Sequence, residues 1–201
     1  MITVGLTGSI AVGKSTVCQF LKEFGCQVLD ADRVARDVVA PGSLGLKRIV
    51  SHFGGRVLRK DGSLDRPALA GIIFFDEKER EALNSIVHPL VIEAQNEWLN
   101  ETQAVEPDAI AVIDAALMIE SGGYKRFNKL VVVWCNADIQ LQRLIERDGL
   151  SPKEAEARIA AQMPQEEKKK YADLLIDTSA GFEETRAQTL NVYEQLRKFT
   201  R

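Results

Sequence analysis

No apolar run in the 201 residues approaches the roughly 20 consecutive residues that a membrane-spanning helix needs. The opening MITVGLTGS lacks a basic leader and an extended hydrophobic core, so it is not expected to act as a secretion signal. Charge of neither sign dominates. Lys and Arg number 26 against 29 Asp and Glu, and a formal net charge of −3 gives no general pull toward nucleic acid or a membrane surface. Cysteine is scarce: Cys18, Cys26 and Cys135 are an odd set without C-x-x-C spacing. They read as reduced, mostly buried thiols, which places the chain in the cytoplasm. No internal repeat and no long disordered tail is visible.

What is present is ordinary for a folded domain: 45% hydrophobic and 27% charged residues. At this length one well-packed domain with small appended lobes is expected. Short β-rich runs at 2–7, 27–32, 109–117, 129–135 and 173–177 read as five strands. Val17, Phe20, Leu21 and Phe24 recur at helical spacing before Gly25, and further helices are expected over 138–147 and after Phe182. Nearly continuous apolar strands alternating with helices predict an α/β fold with a parallel five-stranded sheet covered on both faces.

Two stretches break that rhythm. Residues 41–102 are mostly helical with the turn signals FGG and KDGS, and read as an inserted lobe. Residues 148–170 are short, charged and helical, opening on Ser151-Pro152 with Glu154 at the capping-box position. The core is then expected over 1–40, 103–147 and 171–201.

The most specific signal follows the first strand. Gly8 to Ser15, GSIAVGKS, fits G-x-x-x-x-G-K-[ST] between a predicted strand and a predicted helix. Phosphate oxygens need many donors at close range. Small residues let successive backbone N–H groups turn inward, and a helix N-terminus adds free N–H groups and a positive dipole end. Lys14 would reach the β- and γ-phosphates, Ser15 would place its hydroxyl on Mg²⁺, and Thr16 could bond an α-phosphate oxygen. Ala11 implies that this loop position tolerates a Cβ, which need not weaken the nest if φ stays negative. The reading is therefore a P-loop nucleoside triphosphate hydrolase fold.

A GTPase would add D-x-x-G and N-K-x-D. The first is absent, and Asn128-Lys129 lacks the acid and begins a strand rather than ending one. The acids Asp30 and Asp32 instead fall where the second strand reaches the ligand edge of the sheet. A kinase acting on an alcohol needs a carboxylate beside the acceptor hydroxyl, to orient it and take its proton. Asp32 suits that role, and either acid could instead cap the helix that follows.

Several segments, GLTGSIAVGKSTV, VLDADRVARDVVAPG, LNSIVHPLV, LMIESGGYK and RLIERDGLSPKEAEARIAAQ, resemble dephospho-CoA kinases in order along nearly the whole chain. The resemblance implies ATP-dependent phosphorylation of the ribose 3′-hydroxyl of dephospho-coenzyme A, the last step of coenzyme A synthesis, with ATP and Mg²⁺ as the nucleotide partners. It implies a phosphate loop from Ala11 through Val12, Gly13, Lys14 and Ser15 to Thr16, and Asp32 as base. Arg36 would lie beside the acceptor, His88 in an acceptor lobe over 41–102, and a lid over 148–170. Arg147 is the leading lid cation, with Arg158 beside it, and Arg143 reads equally well as a solvated surface charge. Asp114 closes its strand like a magnesium-holding acid acting through water, or serves structure. Ser9, Ala11 and Val12 stand where the family commonly has Gly, Gly and Ser. Ala116 replaces a usual Pro, and Thr178 replaces a usual Asn, which leaves the choice between ATP and GTP open. A monomer or weak homo-oligomer is expected. Kinases of other small acceptors and nucleotide-dependent binding modules share the loop, and only acceptor-dependent ADP release separates them.

Overall fold

A computed structural model describes residues 1–200; Arg201, the last residue of the expected core, lies outside the described residues. Contacts divide the chain into two units, one of Met1–Asp30 with the chain from Glu101 onward, the other of Ala31–Asn100.

The first unit is built on a sheet of β1 (Ile2–Thr7), β2 (Gln27–Asp30), β3 (Ile110–Asp114), β4 (Lys129–Trp134) and β5 (Leu174–Asp177), in the spatial order β2-β3-β1-β4-β5. All four pairings are parallel, with Leu6 opposite Asp114 and Asp30 opposite Asp114 in register. The ends of β1, β2 and β3 therefore open on one edge, where ligands of such sheets bind. Val4, Leu6, Val112, Val131 and Ile176 are fully buried, and so are Thr7 and Ala111. Burial of successive residues means that both sheet faces are covered, which explains the absence of polar alternation in these strands.

Helix α1 (Lys14–Glu23) buries Val17, Cys18, Phe20 and Leu21, the face expected from their spacing. Phe20 meets the ring of Phe182 edge-on at 4.8 Å, which packs α1 against the C-terminal helix over Phe182–Arg197. Gly25, at φ +98°, ends α1 as expected. The strand expected over 27–32 is shorter than its alternating acids suggest. It stops at Asp30, and Asp32 lies in the first turn of the helix that follows.

In the second unit, α2 (Ala31–Asp37) leads to α3 (Leu44–Phe53), whose N-cap Ser43 accepts from the N–H of Leu46. Asp65 caps α4 (Arg66–Ile73) in the same way, accepting from Ala68 N–H. Val39, Leu46, Ile49, Phe53, Val57, Leu64 and Leu69 form a separate hydrophobic core against which Leu83, Ile86 and Val87 of α5 (Glu77–Val105) pack. The unit thus has a core of its own. In the first unit, α6 (Ala137–Asp148), α7 (Pro152–Ala160) and α8 (Gln165–Lys169) connect β4 to β5.

Candidate active site

The turn from β1 into α1 is forced by close packing. A Cβ at Gly8 would come 2.5 Å from the carbonyl oxygen of Val133, so only glycine passes there. Gly13 takes φ +84° as the residue before α1 and offers no side-chain cap. The N–H groups of the first helical turn are consequently left for another acceptor. The condition of a negative φ at Ala11 is not met: it stands at +61°, in the left-handed region that a Cβ disfavours. The loop keeps its curvature at a steric cost that glycine would avoid.

Side chains from outside hold the loop. Gln140 Nε2 donates to Ile10 O at 2.8 Å, and Gln162 Oε1 accepts from Ile10 N–H at 2.8 Å. Thr178 Oγ1 donates to Val12 O at 2.7 Å. Arg143 is half-buried rather than a free surface charge, and donates to both Thr178 Oγ1 (2.9 Å) and Thr178 O (2.8 Å). These contacts were not legible in the sequence. Thr178 could be singled out there only as a departure from a family pattern, and Gln140 only as a polar residue on the face of α6 that also buries Leu144.

Inside the loop, Lys14 Nζ pairs with Asp114 Oδ1, both side chains being mostly buried. The other carboxylate oxygen of Asp114 accepts from Cys18 Sγ at 3.3 Å. Burial, and then the charge of Asp114, push the Cys18 thiol far above its ordinary range, so it stays protonated and acts as a donor. Asp114 thereby links the loop lysine to the end of β3. Ser15 is exposed and Thr16 half-buried on the first turn of α1, beside Lys14 in sequence.

Farther along, Arg147 lies in the last turn of α6 and forms a two-pronged pair with Asp148, Nε to Oδ1 at 2.8 Å and Nη2 to Oδ2 at 3.1 Å. Arg158 reaches the same carboxylate at 2.9 Å. Arg147 first, then Arg158, hold the Asp148 carboxyl below the usual range. Ser151 and Glu154 form the reciprocal capping box that starts α7. In α8 Lys168 is completely buried, paired with Glu120 at 2.7 Å and donating to Ala116 O at 2.9 Å.

The remaining expected residues belong to the second unit. Asp32 and Arg36 are exposed on α2, four apart and so on one face. His88 is exposed on α5 beside the internal Pro89, in an open groove shared with Ile92, Glu93 and Asn96. Within the first unit, the structure therefore gathers Lys14, Ser15 and Asp114 around one loop, with Arg147 at the end of α6.

A family model described as dephospho-CoA kinase matches residues 2–184. The dephospho-CoA kinase of Moorella thermoacetica is 44% identical over 198 residues, covering 98% of this chain and 93% of that one. Among solved structures, TT1252 from Thermus thermophilus superposes with a TM-score of 0.84 at 32% identity, covering 96% of each chain. Dephospho-CoA kinase from Campylobacter jejuni gives a TM-score of 0.62 at 26% identity, over 98% of this chain and 97% of that one. With the P-loop, the five parallel strands and a match over nearly all its length, the chain belongs to the dephospho-CoA kinase family.

Proposed function

We propose a division of labour among the residues above for the phosphoryl transfer of this kinase, from ATP to the ribose 3′-hydroxyl of dephospho-coenzyme A. Coenzyme A and ADP are the products. The observation that carries the reading is the Lys14–Asp114 pair beneath a loop whose helix start has no side-chain cap. An uncapped, cationic helix start at the open edge of a parallel sheet suits a triphosphate.

The loop from Gly8 through Ala11, Val12 and Gly13 to Thr16 binds the phosphates. Lys14 moves from Asp114 to the β- and γ-phosphates, and Arg147 leaves Asp148 to neutralise charge on the migrating group. Asp32 orients the 3′-hydroxyl and takes its proton as the oxygen attacks in line. Arg36 and His88 hold the acceptor. Residues 1–40, 103–147 and 171–201 serve as nucleotide core, 41–102 as acceptor lobe, and 148–170 as lid.

The donors present fit magnesium. The Ser15 hydroxyl and the Asp114 carboxylate are hard oxygens. Among the described residues no group of three or more His, Cys, Asp or Glu could hold a metal ion. Ser15 would hold the ion directly and Asp114 through water. When bound, Mg²⁺ would supply charge neutralisation to the phosphates.

No described helix is long and apolar enough to cross a membrane, and the three buried free thiols suit a reducing cytoplasm. The proposal includes no nucleic-acid or membrane partner and takes the chain as a monomer or weak homo-oligomer. The test is ADP release from Mg-ATP with and without dephospho-coenzyme A, alongside nucleoside monophosphates and simple alcohols. Dephospho-coenzyme A alone should stimulate strongly. Asp32→Asn should lower kcat by about 10²-fold or more while ATP affinity holds. Normal turnover by Asp32→Asn would remove the base assignment.

A further inference from the structure

Two carbonyls of the phosphate loop are drawn outward by side chains that the reaction itself does not require. Ile10 O is held by Gln140 Nε2, and Val12 O by Thr178 Oγ1. A peptide group is planar and trans, so a carbonyl and the N–H that follows it point in opposite directions. Fixing Ile10 O toward α6 aims the Ala11 N–H away from α6. Fixing Val12 O toward Thr178 aims the Gly13 N–H away from β5. Neither N–H meets an acceptor among the described residues.

Both braces are themselves anchored. Gln140, 2% exposed, accepts from Gln165 Nε2 at 2.7 Å, and Gln165 Oε1 accepts from Cys135 N–H at 3.0 Å. The Gln140 amide is thereby fixed with its nitrogen toward the loop. Thr178, also 2% exposed, is tied by its own N–H to Trp134 O at 3.0 Å and gripped twice by Arg143. A Cβ added to Gly13 would meet Thr178 Oγ1 at 3.2 Å, so the threonine is seated directly against the loop. Gln140 and Arg143 stand three apart on α6 and share one face.

We propose that this face of α6 shapes the phosphate loop from behind: Gln140 directly, and Arg143 through Thr178, turn the Ile10 and Val12 carbonyls outward and so aim the Ala11 and Gly13 amides at the bound phosphates. These are positioning residues. The proposal rests on the loop's role as the triphosphate site. It has a consequence for base recognition. The single Thr178 hydroxyl proton goes to Val12, and the oxygen receives Arg143. That hydroxyl is committed to the loop and does not distinguish adenine from guanine.

The test is steady-state kinetics of the full chain with ATP and with GTP, on Thr178→Val, Thr178→Ser, Arg143→Met, Gln140→Met and the Thr178→Val/Arg143→Met double variant. Thr178→Val should raise KM for ATP and for GTP by the same factor, about fivefold, in the range of one hydrogen bond. KM for dephospho-coenzyme A should stay within about twofold. Thr178→Ser, which keeps the hydroxyl, should restore the wild-type values. Gln140→Met should act in the same direction through Ile10. The double variant should be little worse than Thr178→Val, because both changes break one path.

A change in the ATP-to-GTP preference of Thr178→Val would mean base reading and overturn the proposal. So would additive effects of Thr178→Val and Arg143→Met, or an unchanged KM in Thr178→Val. Should Thr178→Val fail to fold, Gln140→Met and Arg143→Met decide: unchanged nucleotide KM in both would overturn the proposal. A wild-type chain without acceptor-dependent ADP release would instead count against the functional reading, so the two failures are distinct.

Discussion

Arg147 and Asp148 are neighbours in sequence and face each other in space, joined by two charge-assisted hydrogen bonds of 2.8 and 3.1 Å at the end of α6. Gly149, at φ +65°, follows immediately and turns the chain toward α7. The pair holds the cation proposed above for phosphoryl transfer, in a position where it is already folded back on its own helix end. The Arg147 side chain is 54% exposed, so its release is screened by solvent and costs little, although Asp148 is only 22% exposed.

Arg147→Ala should therefore reduce kcat by about 10²–10³-fold with KM for ATP changed less than about threefold, the pattern of a contact made mainly in the transition state. A variant that turns over like wild type would transfer that role to another cation. The pH behaviour has a definite sign. Arg147 and Arg158 lower the Asp148 carboxyl, so the pair's contribution is present above the ordinary Asp value of about 3.9 and is lost only as pH falls through the lower folded value. NMR titration of the Asp148 carboxyl should place its midpoint below 3.9 (about that of a free Asp), and Arg147→Ala should raise it.

Ala11 gives a second prediction. At φ +61° its Cβ carries roughly 1–2 kcal/mol of steric strain. Ala11→Gly removes that strain but gains unfolded-chain entropy worth about 0.4–1 kcal/mol against folding. The balance favours glycine, so the variant should be more stable by up to about 1.6 kcal/mol in urea unfolding. A loss of stability would show that the surrounding braces, rather than the residue, absorb the strained angle.

The same loop shows how much could be read in advance. The strand at 2–7, the helix that buries Val17, Phe20 and Leu21, and the capping box of Ser151 and Glu154 all rest on local patterns, and the structure holds each of them. The parallel sheet followed from apolar strands alternating with helices. Asp32 misled because Asp30 and Asp32 alternate like strand residues, whereas the chain turns helical at Ala31. Ala11 sits between Ile10 and Val12, whose backbone groups are held by Gln140, Gln162 and Thr178, and those partners lie 130 or more residues from them in sequence. No local pattern encodes them. The roles proposed for Lys14, Asp114 and Arg147 come from motif and resemblance, but the pairing of Lys14 with Asp114 spans 100 residues and is a tertiary fact.

Lys168 is the plainest case of a residue whose setting local sequence hides, and it carries the last prediction. It stands in the run EEKKK, which reads as a solvated charged helix, yet it is completely buried. Its neighbours Lys169 and Lys170 pair with Glu166 and Glu167 three residues earlier, the ordinary surface arrangement. Lys168 instead points inward to Glu120 and Ala116 O, fastening α8 to the segment after β3. A buried ammonium without its counter-charge is costly, while removing the ammonium leaves only a partly exposed carboxylate. Glu120→Gln should thus destabilise the fold by about 3 kcal/mol, and Lys168→Met, similar in length and apolar, by clearly less. Urea unfolding of the two variants measures the order. A larger loss in Lys168→Met than in Glu120→Gln would mean that the hydrogen bond to Ala116, rather than the ion pair, anchors this end of the 148–170 segment.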